Sequence, residues 1–215
     1  MLTKLEVSSF GVLPNGTYEF SPGMNVVIGD NGAGKSQLIK LLYVCARWSQ
    51  EAGRGASDRP SEAELQQSLA TKLTRVFRPD ALGGLVTRGR GNRTSSVSVG
   101  FEKSMSGSRD FRFSFSRMAS KNVSFERVPQ AFNEEEAVFF PTKEVLSIFP
   151  GFRSLYEKRE ISFDETYFDL CLELGTPLRR GPRSEESKPF TTALENAIRG
   201  KVRLENDRFY LVQPA

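Results

Sequence analysis

A mixed α/β fold, with an antiparallel β subdomain near the N-terminus followed by helices, is the fold class that this 215-residue sequence predicts. Three observations support it. Residues 2–8 alternate between apolar and polar side chains as a half-buried strand does. A β-branched apolar run at 24–28 leads into a glycine-rich loop and then into a segment with helical periodicity at 35–48. Three further alternating runs with polar turns between them indicate an antiparallel meander; they lie near 94–102, 109–116 and 122–128.

The elements between these segments follow from turn and cap signals. A turn at 14–16 leads to a returning strand at 17–20. Ser61 followed by Glu64 has the pattern of a capping box, which predicts a helix from 62 to 77. Polar composition indicates two connectors, which are the segments 51–60 and 176–188.

The second half of the chain is predicted to be mainly helical. A short apolar run at 137–140 predicts one more buried strand before it. The later elements are helices near 143–156, 164–174 and 189–199 and a terminal hairpin with strands at 201–205 and 208–212. We therefore divide the chain into 1–140, which holds the glycine-rich loop and the β subdomain, and 141–215, which holds the helices and the terminal hairpin.

Composition excludes several classes of protein. The sequence is 38% hydrophobic and 26% charged, as in ordinary globular domains, and no apolar run is long enough to cross a bilayer. We expect a cytoplasmic protein with no membrane partner. The chain has 2 Cys and no His, which excludes a four-ligand Cys/His zinc site and any catalytic triad with a His base. The two thiols, Cys45 and Cys171, are expected to be buried and reduced.

The glycine-rich loop carries the clearest chemical signal. Residues 29–36, GDNGAGKS, match the phosphate-binding pattern G-x-x-x-x-G-K-[ST], between a predicted strand and a predicted helix. Glycines let backbone N–H groups turn toward phosphate, and the helix presents its positive end to the same anion. Lys35 would reach the β- and γ-phosphates of ATP, and the Ser36 hydroxyl would ligate Mg²⁺. The predicted cofactor-binding residues are Gly29, Asp30, Asn31, Gly32, Ala33, Gly34, Lys35, Ser36 and Gln37.

Charge is distributed unevenly along the chain. Residues 72–127 contain 12 Lys/Arg against 4 Asp/Glu, and residues 134–173 contain 10 acids against 4 bases. Such a pattern suits a surface that meets phosphate, and it also suits two faces that neutralise each other. Arg88, Arg90 and Arg93, interleaved with glycines, are candidates for contact with a nucleic-acid backbone; the alternative is a solvated hairpin tip.

The form of the glycine-rich loop resembles a known family. A strand ending in Ser-Phe-Gly at 9–11, followed by NVVIGDNGAGKS at 25–36, resembles the opening of ABC-type ATPase heads of the SMC, RecF and overcoming-lysogenization-defect relatives. Residues 139–146, FFPTKEVL, are similar to a stretch in bacterial AAA-family ATPases, as are residues 155–158 and 163–165. The resemblance spans nearly the whole chain and implies a P-loop NTPase fold with an ABC-type lobe. In those relatives the stretch that Ser9 and Phe10 match lies near the nucleotide.

Parts of the hydrolytic apparatus of those relatives are missing from the sequence. Hydrolysis there uses a strand ending in Asp-Glu, a Ser-Gly-Gly signature from a second head and usually a switch His. This chain has no His, no Leu-Ser-Gly-Gly and no apolar run ending in Asp-Glu, and Glu134–Glu136 precede the strand predicted at 137–140. We assign no catalytic residue within the chain. The resemblance implies the N-terminal lobe of a longer or split ATPase, completed by a C-terminal lobe and a second head in a nucleotide-dependent homodimer.

Two classes of function fit the sequence best. One is an ATPase lobe acting on DNA or in defence against mobile elements. The other is a nucleotide-sensing scaffold that binds ATP without cleaving it. A transporter ATPase fits less well because of the long insertion before 137–140. A small-molecule kinase also fits less well, because such kinases tend to begin with the strand that precedes the phosphate loop.

Overall fold

The computed structural model describes residues 1–54, 59–89, 93–103, 105, 107–158, 161–176, 187–206 and 208–213. The chain forms two compact units, Met1–Phe139 and Phe140–Ala215. Each unit has a hydrophobic core of its own.

The first unit is built on a five-stranded antiparallel sheet. Its strand order is β2-β1-β3-β4-β5, so the N-terminal strand lies next to the meander. The strands are β1 (Leu2–Ser8), β2 (Gly16–Glu19), β3 (Thr94–Phe101), β4 (Phe111–Ser116) and β5 (Ser124–Arg127). Alternate residues of β3 and β4 are buried, as the alternating pattern predicts, so the antiparallel β subdomain is confirmed.

Two helices pack with this sheet. Helix α1 (Lys35–Arg54) begins within the glycine-rich loop and is six residues longer than predicted, so its last turn takes the first part of the connector predicted at 51–60. Helix α2 (Glu62–Phe77) has the predicted bounds, and a 3₁₀ turn, Leu82–Leu85, follows it. Apolar residues of α1, α2 and the sheet form one core.

The predicted capping box is present at the start of α2. The backbone N–H and the hydroxyl of Ser61 donate to Glu64 Oε2 at 2.8 and 2.7 Å, and the Glu64 N–H donates to Ser61 Oγ at 3.4 Å. The bonds that Glu64 accepts from Ser61 lower the pKa of its carboxyl. The start of α2 is therefore determined by two residues that are close in sequence.

We expect Ser61→Ala to lower the free energy of unfolding by about 1 kcal/mol, because the first turn of α2 loses its side-chain cap. Urea unfolding followed by far-UV circular dichroism would measure the change. Ser61→Asp is the matched control, since aspartate also caps and should restore most of the lost stability. A loss of the same size in both variants would contradict the capping explanation.

Two predicted strands are wrong. Neither 24–28 nor 137–140 is a strand, and no strand that the structure describes pairs with either segment. The apolar side chains in each segment are divided between two environments. Val27, Ala137 and Phe139 pack against the core, whereas Met24 and Ile28 are 89% and 88% exposed. A strand requires a hydrogen-bonded neighbour, which local sequence cannot supply.

The described residues of the second unit form three helices and a hairpin. They are α3 (Phe149–Glu157), α4 (Glu165–Gly175), α5 (Ser187–Ala197), β6 (Lys201–Glu205) and β7 (Arg208–Val212). The terminal hairpin is confirmed, whereas the helix predicted at 143–156 begins six residues later. Pro150 and Gly151 have non-helical backbone angles and interrupt that helix near its start. Most of the predicted connector at 176–188 falls outside the described residues.

Both cysteines are free and buried, as predicted. Burial raises the pKa of both thiols, that of Cys171 to about 11. In the described part of the chain, no helix combines the length and the apolar character needed to cross a membrane.

Candidate nucleotide site

The candidate site is formed by the glycine-rich loop and the first turn of α1. Gly32 and Gly34 have φ angles of 83° and 94°, in the left-handed region that glycine adopts without strain. A Cβ at Gly34 would lie 2.9 Å from Leu13 Cδ2 and 3.3 Å from Val12 Cγ2. Gly34 is therefore required both by its backbone conformation and by the close approach of a neighbouring loop.

Lys35 carries the positive charge of this loop. Its Nζ donates to the backbone carbonyls of Gly29 and Asp30, at 2.7 and 2.8 Å. The side chain therefore folds back across the loop, and its ammonium lies at the start of the glycine-rich segment. The amides of a first helical turn have no partners within the helix, so they add donors at the same place. This combination of cation and amides is suited to binding phosphate.

The remaining predicted residues differ in exposure. Gly34, Lys35 and Gln37 are partly buried, whereas the others are exposed: Gly29, Asp30, Asn31, Gly32, Ala33 and Ser36. The Ser36 hydroxyl is thus open to a metal-bound nucleotide, and Mg²⁺ prefers oxygen ligands of this kind. The residues fit Mg-ATP in the chemistry of their donors, with amide N–H groups, one ammonium and one hydroxyl.

Gln37 connects the site to a second loop, residues 9–13. Its Oε1 accepts a hydrogen bond from the Val12 N–H at 3.1 Å. A Cβ at Gly11, whose φ is 53°, would lie only 2.3 Å from this oxygen. Gln37 thus holds the loop 9–13 against α1. The sequence pattern places Gln37 next to the glycine-rich loop but does not predict its contact with Val12.

The loop 9–13 is also held from its other side, by the segment 85–87. The Gly11 N–H donates to the Leu85 carbonyl at 2.7 Å, and the Thr87 hydroxyl donates to the Gly11 carbonyl at 2.9 Å. Phe10 points into the core, where its ring is fully buried against Phe77 and Phe115. The sequence resemblance implies that Ser9 and Phe10 lie near the nucleotide. Because the ring of Phe10 is fully buried in the core, it is not accessible to a ligand.

The candidate arginines lie apart from the glycine-rich loop in sequence. Arg88 and Arg93 are exposed, and Arg90 lies outside the described residues. Sequence reasoning missed Arg117, which directly follows β4 and donates from Nη1 to the Gly89 carbonyl at 3.0 Å. The register of the meander could have indicated it. Thr94 pairs with Ser116, which places the adjacent residues Arg93 and Arg117 at the same end of the sheet.

Comparison with known proteins gives one family and two relatives. A family described as an AAA domain matches residues 4–206. A DNA replication and repair protein RecF from Lachnoclostridium phytofermentans is 29% identical over 99 residues, which cover 46% of this chain and 27% of that protein. A DNA replication and repair protein RecF from Psychromonas ingrahamii is 28% identical over 107 residues, covering 49% of this chain and 25% of that protein. The matched segments thus span about a quarter of the length of these relatives.

Proposed function

The chain belongs to the AAA domain family as an ATPase head of the SMC/RecF type, and from this premise we propose that it binds Mg-ATP through residues 29–37 in a process that acts on DNA. DNA replication or repair is the process named in the relatives, and defence against mobile elements is a variant of the same proposal. A cytoplasmic location is part of it, since two buried free thiols suit a reducing compartment.

One observation carries the ATP-binding part of the proposal. The Lys35 ammonium donates to the Gly29 and Asp30 carbonyls, and the positive φ angles of Gly32 and Gly34 turn the loop at the start of α1. A free lysine side chain would lose rotamer freedom on binding a phosphate, whereas this one is already confined to the loop. The arrangement is therefore prepared for an anion.

Hydrolysis is proposed to need groups from another lobe. A general base that activates water is normally a carboxylate at the end of a strand beside the phosphate loop. Among the described residues, no strand pairs with the segment 24–28, and the side chains of Met24, Val26 and Ile28 are exposed. We propose that a completing lobe supplies a strand and an acid there, and that a second head closes over the nucleotide in a homodimer.

We expect the purified chain to bind Mg-ATP and to release phosphate no faster than its Lys35→Ala variant, because we propose that the acid that activates water comes from the completing lobe. A phosphate-release assay at saturating ATP measures this. Fast turnover that Lys35→Ala abolishes would contradict the need for a completing lobe. Adding that lobe should restore turnover. Binding without cleavage in the completed assembly would instead support a nucleotide-dependent interaction module.

A further inference from the structure

Two exposed arginines converge on one glycine at the end of the meander. Arg93 directly precedes β3 and Arg117 directly follows β4, so both leave the same end of the sheet. The Arg117 N–H donates to the Arg93 carbonyl at 3.2 Å, which fixes the two backbones together. Arg117 Nη1 donates to the Gly89 carbonyl, and a Cβ at Gly89 would lie 2.6 Å from Arg93 Cζ. Both guanidinium groups therefore lie against Gly89.

We refer to Arg93 and Arg117 together as the arginine pair. Within the ranges that the structure describes, neither arginine forms an ion pair with a carboxylate. By contrast, the exposed Arg112 on β4 forms an ion pair with Glu126, with 2.9 Å between Arg112 Nε and Glu126 Oε2. Two like charges held near each other repel, so an anion bound beside them would stabilise the arrangement.

We propose that Arg93 and Arg117 form a clamp for a phosphodiester group of a DNA backbone. A guanidinium presents a planar fork of donors that matches two phosphate oxygens, and two forks at one position can hold one phosphate from two sides. Arg88, exposed and next to Gly89, adds a third positive charge. The excess of basic residues over 72–127 would attract the same polyanion over a longer range.

This inference rests on the proposed function, which places the chain on DNA. Contacts to phosphate set position and affinity without reading base sequence. The clamp therefore predicts binding that depends on salt and is indifferent to sequence. Gly89 matters because any side chain at this position would displace the Arg93 guanidinium.

Fluorescence anisotropy with a short labelled DNA duplex and the full chain tests the clamp. We expect Arg93→Ala/Arg117→Ala to weaken binding by about tenfold and to reduce the slope of log affinity against log salt by about 1 to 2. The matched control, Arg112→Ala/Arg153→Ala, removes two exposed arginines that are paired with Glu126 and Glu157. The affinity of this control for the duplex should stay within about twofold of that of the parent chain. The control loses the same net charge but keeps the proposed phosphate contact.

Gly89→Ala is the second variant, because it keeps every charge and moves the Arg93 guanidinium aside. We expect it to weaken binding by about threefold, which is less than removal of both arginines. Equal losses in the double variant and its charge-matched control would overturn the clamp, as would parental affinity in Gly89→Ala. Binding to vesicles of anionic lipid without binding to the duplex would also overturn it.

Calorimetry with Mg-ATP on the same preparations separates the two proposals. If the chain binds ATP but replacing the arginine pair leaves its affinity for the duplex unchanged, the clamp alone fails. If the chain binds no ATP, the proposed function fails. The arginine pair is not part of the phosphate loop, so its replacement should leave ATP affinity unchanged.

Discussion

Replacing Lys35 with alanine is expected to weaken Mg-ATP binding by about 100-fold or more, the largest effect that we predict for any single residue of the site. The Nζ of Lys35 donates to the Gly29 and Asp30 carbonyls. We propose that from there it contacts the terminal phosphates of the nucleotide. Its loss removes the one ammonium of the loop and leaves the phosphate charge to backbone amides alone. Isothermal titration calorimetry with Mg-ATP would measure the affinity.

Lys40→Ala is the matched control for this experiment. Lys40 lies on the same helix and its Nζ contacts the Val76 carbonyl at 3.4 Å, away from the phosphate loop. The control removes the same charge from α1 and should keep ATP affinity within about threefold of the parent chain, because the Lys40 ammonium contacts the Val76 carbonyl and not the glycine-rich loop. Equal weakening by both variants would mean that the net charge of α1, and not the placement of Lys35, determines binding.

Trp48→Ala is expected to lower the free energy of unfolding by about 3 to 5 kcal/mol, the largest loss of stability that we predict. Trp48 lies on α1 and is 1% exposed. The centroid of its ring lies 4.9 Å from that of Phe111 and 5.7 Å from that of Phe125. Its Nε1 donates to Ser68 Oγ at 2.9 Å, which joins α1 to α2. One side chain thus holds both helices to the sheet, and its truncation leaves a cavity among all three.

Urea unfolding followed by circular dichroism would measure this loss. Ile39→Ala is the control, because Ile39 lies on the same helix and is exposed, so its truncation should cost less than about 1 kcal/mol. A loss for Trp48→Ala no larger than for Ile39→Ala would contradict the role of Trp48 at the junction of α1, α2 and the sheet.

The predictions that the structure confirms rest mainly on short-range signals. Ser61 and Glu64 are three residues apart and determine where α2 begins through their own hydrogen bonds. Strands β3 and β4 alternate between buried and partly exposed residues, and that period is visible in the sequence. The beginning of α1 follows directly on the glycine pattern, because the loop and the helix are consecutive in the chain.

The features that the sequence analysis missed or mispredicted depend on residues that are far apart. Gln37 contacts Val12, 25 positions away, and Arg117 reaches Gly89, 28 positions away. The segment 24–28 has the composition of a buried strand, yet no strand among the described residues pairs with it, and Met24 and Ile28 are exposed. Composition can therefore indicate that a segment is suited to a sheet without showing whether a partner is present.

By itself, the sequence determined the glycine-rich turn before α1, the bounds of α2 and the alternation of the meander, because each depends on backbone conformations and contacts within a few residues. Only the tertiary structure decided that Phe10 is a core ring, that Gln37 holds the loop 9–13, and that Arg93 and Arg117 meet at Gly89. The physical reason is that such contacts form only when packing of the core brings distant segments together, and local propensities carry no record of that approach.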